Sequence, residues 1–282
     1  MDWQRVLDEL GWGLCALALL LVVAPAVDIV VVIIAQSAQS WSWSLLTTPT
    51  QGVAGGLLNA WTGTLMLMAL LLVIVGPIGV LGGLYLAEFS EYRLARMLRF
   101  FSELLAGVPS IVVGYVIYAV LVVALGWSFS MLAGVIALSI MVVPYVLKST
   151  EAALRQVPTS FREGGAALGL PRHRIIRDIL FPLAIPNVMS GLVVAEAIAM
   201  GETAPLIYTA GWSNSLPNLQ LVHRPIGYLT YVVWTYINEP YPEAHQLAYS
   251  AAALLVVFLL ILIALGRLIS WRATRFTGRF QP

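Results

Sequence analysis

FREGGAALGLPRHRIIRD, Phe161–Asp178, interrupts a chain that is otherwise mostly apolar. The stretch holds four arginines, two carboxylates, a histidine and three glycines, with long apolar runs on both sides. Ala166, Ala167 and Leu168, then Ile175, Ile176 and Ile179, fit two short helices bent at Gly169-Leu170-Pro171. Glycine permits the bend, and proline suits the start of the second helix, where its missing N–H is harmless. Glu163 is expected near the beginning of the first helix, where a carboxylate suits the helix dipole. Two readings stand: a connection whose arginines merely obey membrane topology, or an element built to be gripped from outside.

Composition decides what kind of chain surrounds it. Of 282 residues, 60% are hydrophobic and 10% charged, and the mean hydropathy is +0.89. Soluble domains run nearer a quarter charged, so this is a polytopic, all-α membrane protein whose first partner is the lipid bilayer. A net charge of +1 gives no footing for nucleic acid. The single cysteine, Cys15, lies in an apolar run and excludes an intramolecular disulfide. Lys148 is the only lysine and follows no glycine-rich loop, so the chain is not a P-loop ATPase. His173, His223 and His245 are scattered without metal-ligand spacing, and no nucleophile motif stands out. The expectation is therefore no catalytic residue, no metal and no cofactor in this chain.

A bilayer core of roughly 30 Å needs about 20 apolar residues per helix. Six windows qualify, at about 11–35, 60–87, 107–125, 130–149, 184–208 and 246–270. Ala24-Pro25-Ala26 mimics a signal-peptide cleavage site, yet the residues before this run are acidic and apolar sequence continues beyond it. An uncleaved span fits better. Arg93, Arg96 and Arg99 follow the second window; Arg155, Arg162, Arg172, Arg174 and Arg177 follow the fourth; Arg267, Arg272, Arg275 and Arg279 follow the sixth. The positive-inside rule puts these segments and both termini in the cytoplasm. Glu91–Leu105 spaces Leu94, Leu98, Phe101 and Leu105 as an interfacial amphipathic helix does. The extracytoplasmic segment Gly211–Ala244, rich in Trp, Tyr, Pro and Asn, fits a lid or docking surface and equally an aromatic belt plus loop.

The order Glu163-Gly164-Gly165, three residues, Gly169, then Ile176 and Phe181-Pro182 resembles the EAA loop of ABC import permeases. Gly55–Phe89, Leu105–Gly114 (LAGVPSIVVG), Val143–Gly169 and Gly201–Ala210 (GETAPLIYTA) are similar to the PstA-type permeases of phosphate-specific ABC importers. The resemblance implies six transmembrane helices, with a cytoplasmic coupling helix between spans four and five. It divides the chain into an N-terminal span and extracytoplasmic loop at 1–59, a core permease at 60–270 with the coupling loop at about 150–183, and a cytoplasmic tail at 271–282. Glu163, Gly164, Gly165, Gly169, Ile176 and Pro182 become the ATPase-coupling residues. The implied partners are a homologous second permease, two ATPase subunits that bind ATP and Mg, and an extracytoplasmic phosphate-binding protein, all at a bacterial or archaeal cytoplasmic membrane.

An anion pathway needs several modest donors rather than one tight trap. Lys148, Ser149 and Thr150, at the end of span four, form one such group; simple snorkelling of Lys148 is the alternative. Ser110 is a second candidate donor, with helix capping equally open. Glu202 and Thr203 follow Gly201 where Pro205 breaks the helix, and Glu202 suits pairing or organising span five. Asp28 and Glu196 are further ionisable candidates within the windows, Asp28 without a family counterpart. The coupling loop departs from the family at Gly164-Gly165, where two alanines are usual, and at Phe181, where leucine is; in the pathway, lysine at 148 and isoleucine at 198 stand where arginine is usual. Ile198 keeps another oxyanion, such as molybdate, sulfate or phosphonate, in view as substrate; a stand-alone secondary transporter using Asp28, Glu196 and Glu202 is the remaining alternative.

Overall fold

The computed structural model describes residues 3–277, apart from the side chains of residues 4–6 and 273–277. The Arg275 side chain, Arg279 and the end of the tail at 278–282 thus lie outside what it describes. The N-terminal helix α1 (Trp3–Ser40) leans chiefly on the last helix, and its most apolar window is exposed throughout. A short α2 (Ser44–Thr47) and a small antiparallel hairpin follow, β1 (Thr50–Gln51) with β2 (Ala54–Gly55). The next helix, α3 (Leu58–Glu88), buries Ala60, Thr64, Leu67, Leu71, Val75, Gly79, Gly83 and Leu86. That three-and-four spacing lays one continuous stripe along the helix.

The arginine-bearing helix α4 (Arg93–Ala106) turns its apolar side outward: Leu94, Met97, Phe100, Phe101 and Leu104 are exposed while Ala95 and Ser102 are buried. An apolar side facing away from the protein is what a helix lying in the membrane interface presents. The chain then bends by 105° into α5 (Ser110–Ile117), which continues as a π-helical stretch, Tyr118–Ala124. Ser130 starts α6 (Met131–Arg155), its Oγ accepting from the Ala133 N–H at 3.4 Å. Then come α7 (Thr159–Ala167), α8 (Arg172–Arg174), a second π-helical stretch (Ile175–Leu180), α9 (Phe181–Gly201) and α10 (Ala204–Thr209). Two further helices, α11 (Leu229–Tyr236) and α12 (Pro242–Thr277), complete the described residues.

The largest core lies among α3, α6 and α9, built by Leu67, Leu71, Val75, Leu138, Val142, Val146 and Ala199. α3 meets α6 backbone to side chain: a β-carbon at Gly79 would lie 2.5 Å from Val146 Cγ1, and one at Gly83 2.5 Å from the Leu147 carbonyl and Thr150 Cβ. Five described helices are long and apolar enough to cross a bilayer, or six if α4 and α5 count as one bent span.

Two spans differ from their windows. The third is realised by eight α-helical and seven π-helical residues, Ser110–Ala124. At an α-helical rise these reach only about 22 Å, short of the roughly 30 Å core. The fifth begins early, at Arg172, and stops at Gly201 instead of running to 208. Pro205 explains the stop, because its ring would clash with the Gly201 carbonyl if the helix continued. Glu202 is extended there, and α10 starts afresh.

Candidate functional site

The loop between α6 and α9 folds as two helices around a single reversed turn. Gly169 has φ +71°, and the Leu170 N–H donates to the Gly165 carbonyl while the Gly169 N–H donates to the Ala166 carbonyl. This six-to-one plus five-to-two pattern is a Schellman cap, which requires a left-handed residue at the position glycine holds. The tip is bare: Glu163, Gly164, Ala166, Ala167 and Gly169 are exposed, and Leu168 is 79% exposed. Ile176 and its neighbour Ile175 are buried beneath it, with Leu154, Val157 and Leu180. Pro182 sits in the first turn of α9, just after the π-helical stretch, where a widened ladder accommodates a residue without an N–H.

Two details of this loop depart from expectation. Pro158 caps α7 and helix begins at Thr159, so Glu163 lies in the second turn, too far from the N-terminus for a strong dipole contact. The paired glycines are also unequal. A β-carbon at Gly164 meets nothing within 4 Å, whereas one at Gly165 would lie 2.9 Å from Ile175 Cγ1.

The loop is tied to the ends of two spans. Arg162 donates to Glu88 Oε1 at 2.8 Å and to the Leu154 and Val157 carbonyls at 3.0 Å each. Arg172 donates to the Glu88 carbonyl and lies 4.3 Å above the Phe89 ring. A second acid on the same side, Glu151, binds Arg99 of α4 at 2.7 Å and Arg155 at 2.9 Å. Glu151 and Arg155 are an i, i+4 pair within α6, but nothing in the sequence pairs Glu151 with Arg99 or Glu88 with Arg162 and Arg172, because those separations match no local motif.

Among the spans, the second group of interest surrounds the crossing of α6 and α9. Lys148 is exposed and makes no ion pair among the described residues, Ser149 is half-buried with its Oγ donating to the Val146 carbonyl, and Tyr145 is exposed one turn earlier. Thr150 is fully buried and presses against Gly83, so it faces α3 rather than this surface. Lys148 does not end its helix; α6 runs on for two more turns. Across the crossing, Gly191 meets Ser149, and α9 exposes Asn187, Ser190 and Val194 in an i, i+3, i+7 row. The Asn187 Nδ2 donates to Gln156 Oε1 at 3.1 Å. Asn187 and Ser190 were missed by sequence reading; polar residues at helical spacing inside an apolar window were the available signal. A polar, exposed surface on spanning helices cannot face hydrocarbon and must be covered by protein or water.

The remaining candidates lie apart from this surface. Ser110 is the first residue of α5, half-exposed, and Pro109 rather than a serine side chain occupies the capping position. α5 packs tightly on α10, where a β-carbon at Gly114 would lie 2.6 Å from Pro205 Cα. Glu202 and Thr203 form the break between α9 and α10, and Thr230 Oγ1 donates to the Glu202 carbonyl at 3.1 Å. Glu196 is buried, Ile198 packs on the core cluster, and Asp28 lines an open notch on α1 with Leu20, Leu21, Ala24 and Pro25. No group of three or more His, Cys, Asp or Glu could hold a metal ion among the described residues.

At the opposite end, the segment after α10 is knitted to the hairpin. Asn59 accepts from the Thr50 N–H and hydroxyl through Oδ1 and donates to the Ser213 carbonyl through Nδ2. Trp212 stacks on Tyr231 at 4.5 Å, and Tyr236 donates its hydroxyl to the Gly52 carbonyl. Burial, helped by Tyr231 and Glu239, pushes the Tyr236 phenol up to about 12, so it remains a donor across the ordinary pH range. Leu219, at 85% exposed, is the most protruding apolar residue of this segment.

Comparison with known proteins matches this architecture. Residues 79–275 match the family described as binding-protein-dependent transport system inner membrane component. The phosphate transport system permease protein PstA 2 of Mycobacterium bovis is 47% identical over 272 residues, covering 96% of this chain and 90% of the relative. The phosphate transport system permease protein PstA of Yersinia pestis is 38% identical, covering 79% and 75%. Among solved structures, an inward-facing MetNI methionine ABC transporter chain superposes with TM-score 0.62 at 20% identity over 82% of this chain, which concerns the fold alone. With a family match across most of its spans and 47% identity to a PstA over nearly its full length, the chain belongs to the binding-protein-dependent transport inner membrane components, and among them to the PstA-type permeases.

Proposed function

We propose that the chain is the permease subunit of an ATP-driven importer that moves inorganic phosphate across the cytoplasmic membrane of a bacterium or archaeon, with both termini in the cytoplasm. In this reading it pairs with a homologous second permease and receives the anion from an extracytoplasmic phosphate-binding protein. Two ATPase subunits bind ATP and Mg, so the chain itself makes and breaks no bonds. The observation that carries the substrate is the 47% identity to a phosphate permease over 96% of the chain.

The two exposed surfaces support a division of labour. The bare tip around Leu168 supplies an apolar knob on a rigid turn, suited to seating in a groove of a motor subunit. The surface bearing Lys148, Ser149, Asn187 and Ser190 supplies one positive charge and several neutral donors. One mobile ammonium among hydroxyls and amides attracts an anion without holding it in a fixed fork, which suits passage better than capture.

Reconstitution with the ATPases, the second permease and the binding protein tests the reading. Labelled phosphate should enter proteoliposomes only with ATP, and excess molybdate, sulfate or phosphonate should not compete. Competition by one of these would assign another oxyanion. Transport by this chain alone, without ATPase, would overturn the importer reading.

A further inference from the structure

We infer that Glu88 is the joint by which the coupling loop grips span two, a role that rests on the coupling reading above. α3 ends badly on its own: its last turn contains no basic residue and closes on a carboxylate, where the helix dipole is already negative. Both compensating cations come from the loop, Arg162 from before the Gly169 turn and Arg172 from after it. Arg162 reaches Glu88 Oε1 at 2.8 Å; Arg172 lies 4.0 Å from Oε2 and bonds the Glu88 carbonyl as well. The Glu88 side chain is only 6% exposed, so salt screens the pairs weakly and removing one partner strands a charge.

The geometry makes this more than a surface ion pair. α7 and α8 meet at one rigid turn, and each is fastened to the same residue, so a push on the tip cannot pivot about either arm alone. Arg162 also binds the Leu154 carbonyl in the last turn of α6 and the Val157 carbonyl just beyond it, joining the loop to a second span. α3 and α6 are interlocked at Gly79 and Gly83, so they accept that push as a unit. Glu163, the acid of the loop itself, is exposed and forms no ion pair among the described residues, so it has no part in this joint.

The test uses the complete transporter carrying Glu88→Gln, which keeps the side-chain volume and removes the charge. The expected result is normal assembly, ATP hydrolysis within about twofold of the parent, and phosphate carried per ATP reduced by roughly tenfold. Arg172→Gln, at a half-exposed position with little folding risk, should lower the same ratio, and the double variant should be no worse than Glu88→Gln alone. An unchanged ratio overturns the joint. So does a parallel fall of uptake and hydrolysis with loss of complex from the membrane, the signature of a purely structural role. Leu168→Asp separates the underlying reading: if it leaves uptake and ATPase recruitment intact, coupling through this loop fails, whereas loss of uptake there with a neutral Glu88→Gln removes only the joint.

Discussion

A β-carbon added at Gly191 would lie 2.1 Å from the Ser149 Oγ, so α9 crosses α6 with bare backbone against a serine side chain. This crossing sets the spacing of the polar surface, because Lys148 and Ser190 are the immediate neighbours of the two residues that touch. Gly191→Val should therefore cost about 1–3 kcal/mol by overpacking. The expected readout is a lower thermal midpoint in detergent together with impaired uptake. Gly201→Ala, with nothing within 4 Å of the added carbon, serves as the tolerated control.

Lys148 should act on affinity rather than on assembly. Lys148→Ala is expected to raise the phosphate concentration for half-maximal uptake by roughly tenfold, about 1.4 kcal/mol, with the complex still in the membrane. Lys148→Arg should retain most uptake because the charge survives. Equal uptake curves for Lys148→Ala and the parent would show that the ammonium only snorkels.

The paired glycines make opposite predictions. Gly164→Ala should stabilise α7 by about 0.5–1 kcal/mol, since the position is helical and open. Gly165→Ala gains the same propensity but drives a carbon against Ile175, so the net change should be neutral or unfavourable. Thermal unfolding of the two variants side by side decides the matter; a more stable Gly165→Ala would contradict the packing.

At Gly169 the backbone itself is the constraint. A side chain at φ +71° costs about 1–2 kcal/mol, and least for asparagine. Gly169→Asn should keep appreciable uptake, while Gly169→Arg should abolish ATP-driven uptake with the chain still present in the membrane. Normal uptake by Gly169→Arg would remove the case for a rigid tip.

How much of this could be read from the sequence depends on the range of the interaction involved. Apolar length located the spans, and Gly169 with Pro171 located the turn, because both are local. The face of each span was hidden: α3 reads as uniformly apolar, and only contact with α6 reveals why Gly79 and Gly83 are small. The fifth window ran to 208 because apolar sequence resumes at Ala204 beyond Glu202-Thr203; Pro205, read from sequence as a helix breaker, sets the end at Gly201 through its steric reach back to that residue. Thr150, two residues after Lys148, was grouped with it by sequence, but two residues of helix turn it by about 200° into the interior. The ties of Glu88 to the loop and of Glu151 to Arg99 were beyond reading, since a carboxylate carries no mark of a partner several dozen residues away.

The pairing of Glu88 with Arg162 and Arg172 also fixes an order of events during biosynthesis. The acid emerges 74 and 84 residues before the two groups that bond it. At 5–20 residues per second that is a wait on the order of 4–17 s. Span two must enter the bilayer with its end unneutralised, and it reaches its final seat only after span four and the loop beyond it have been made.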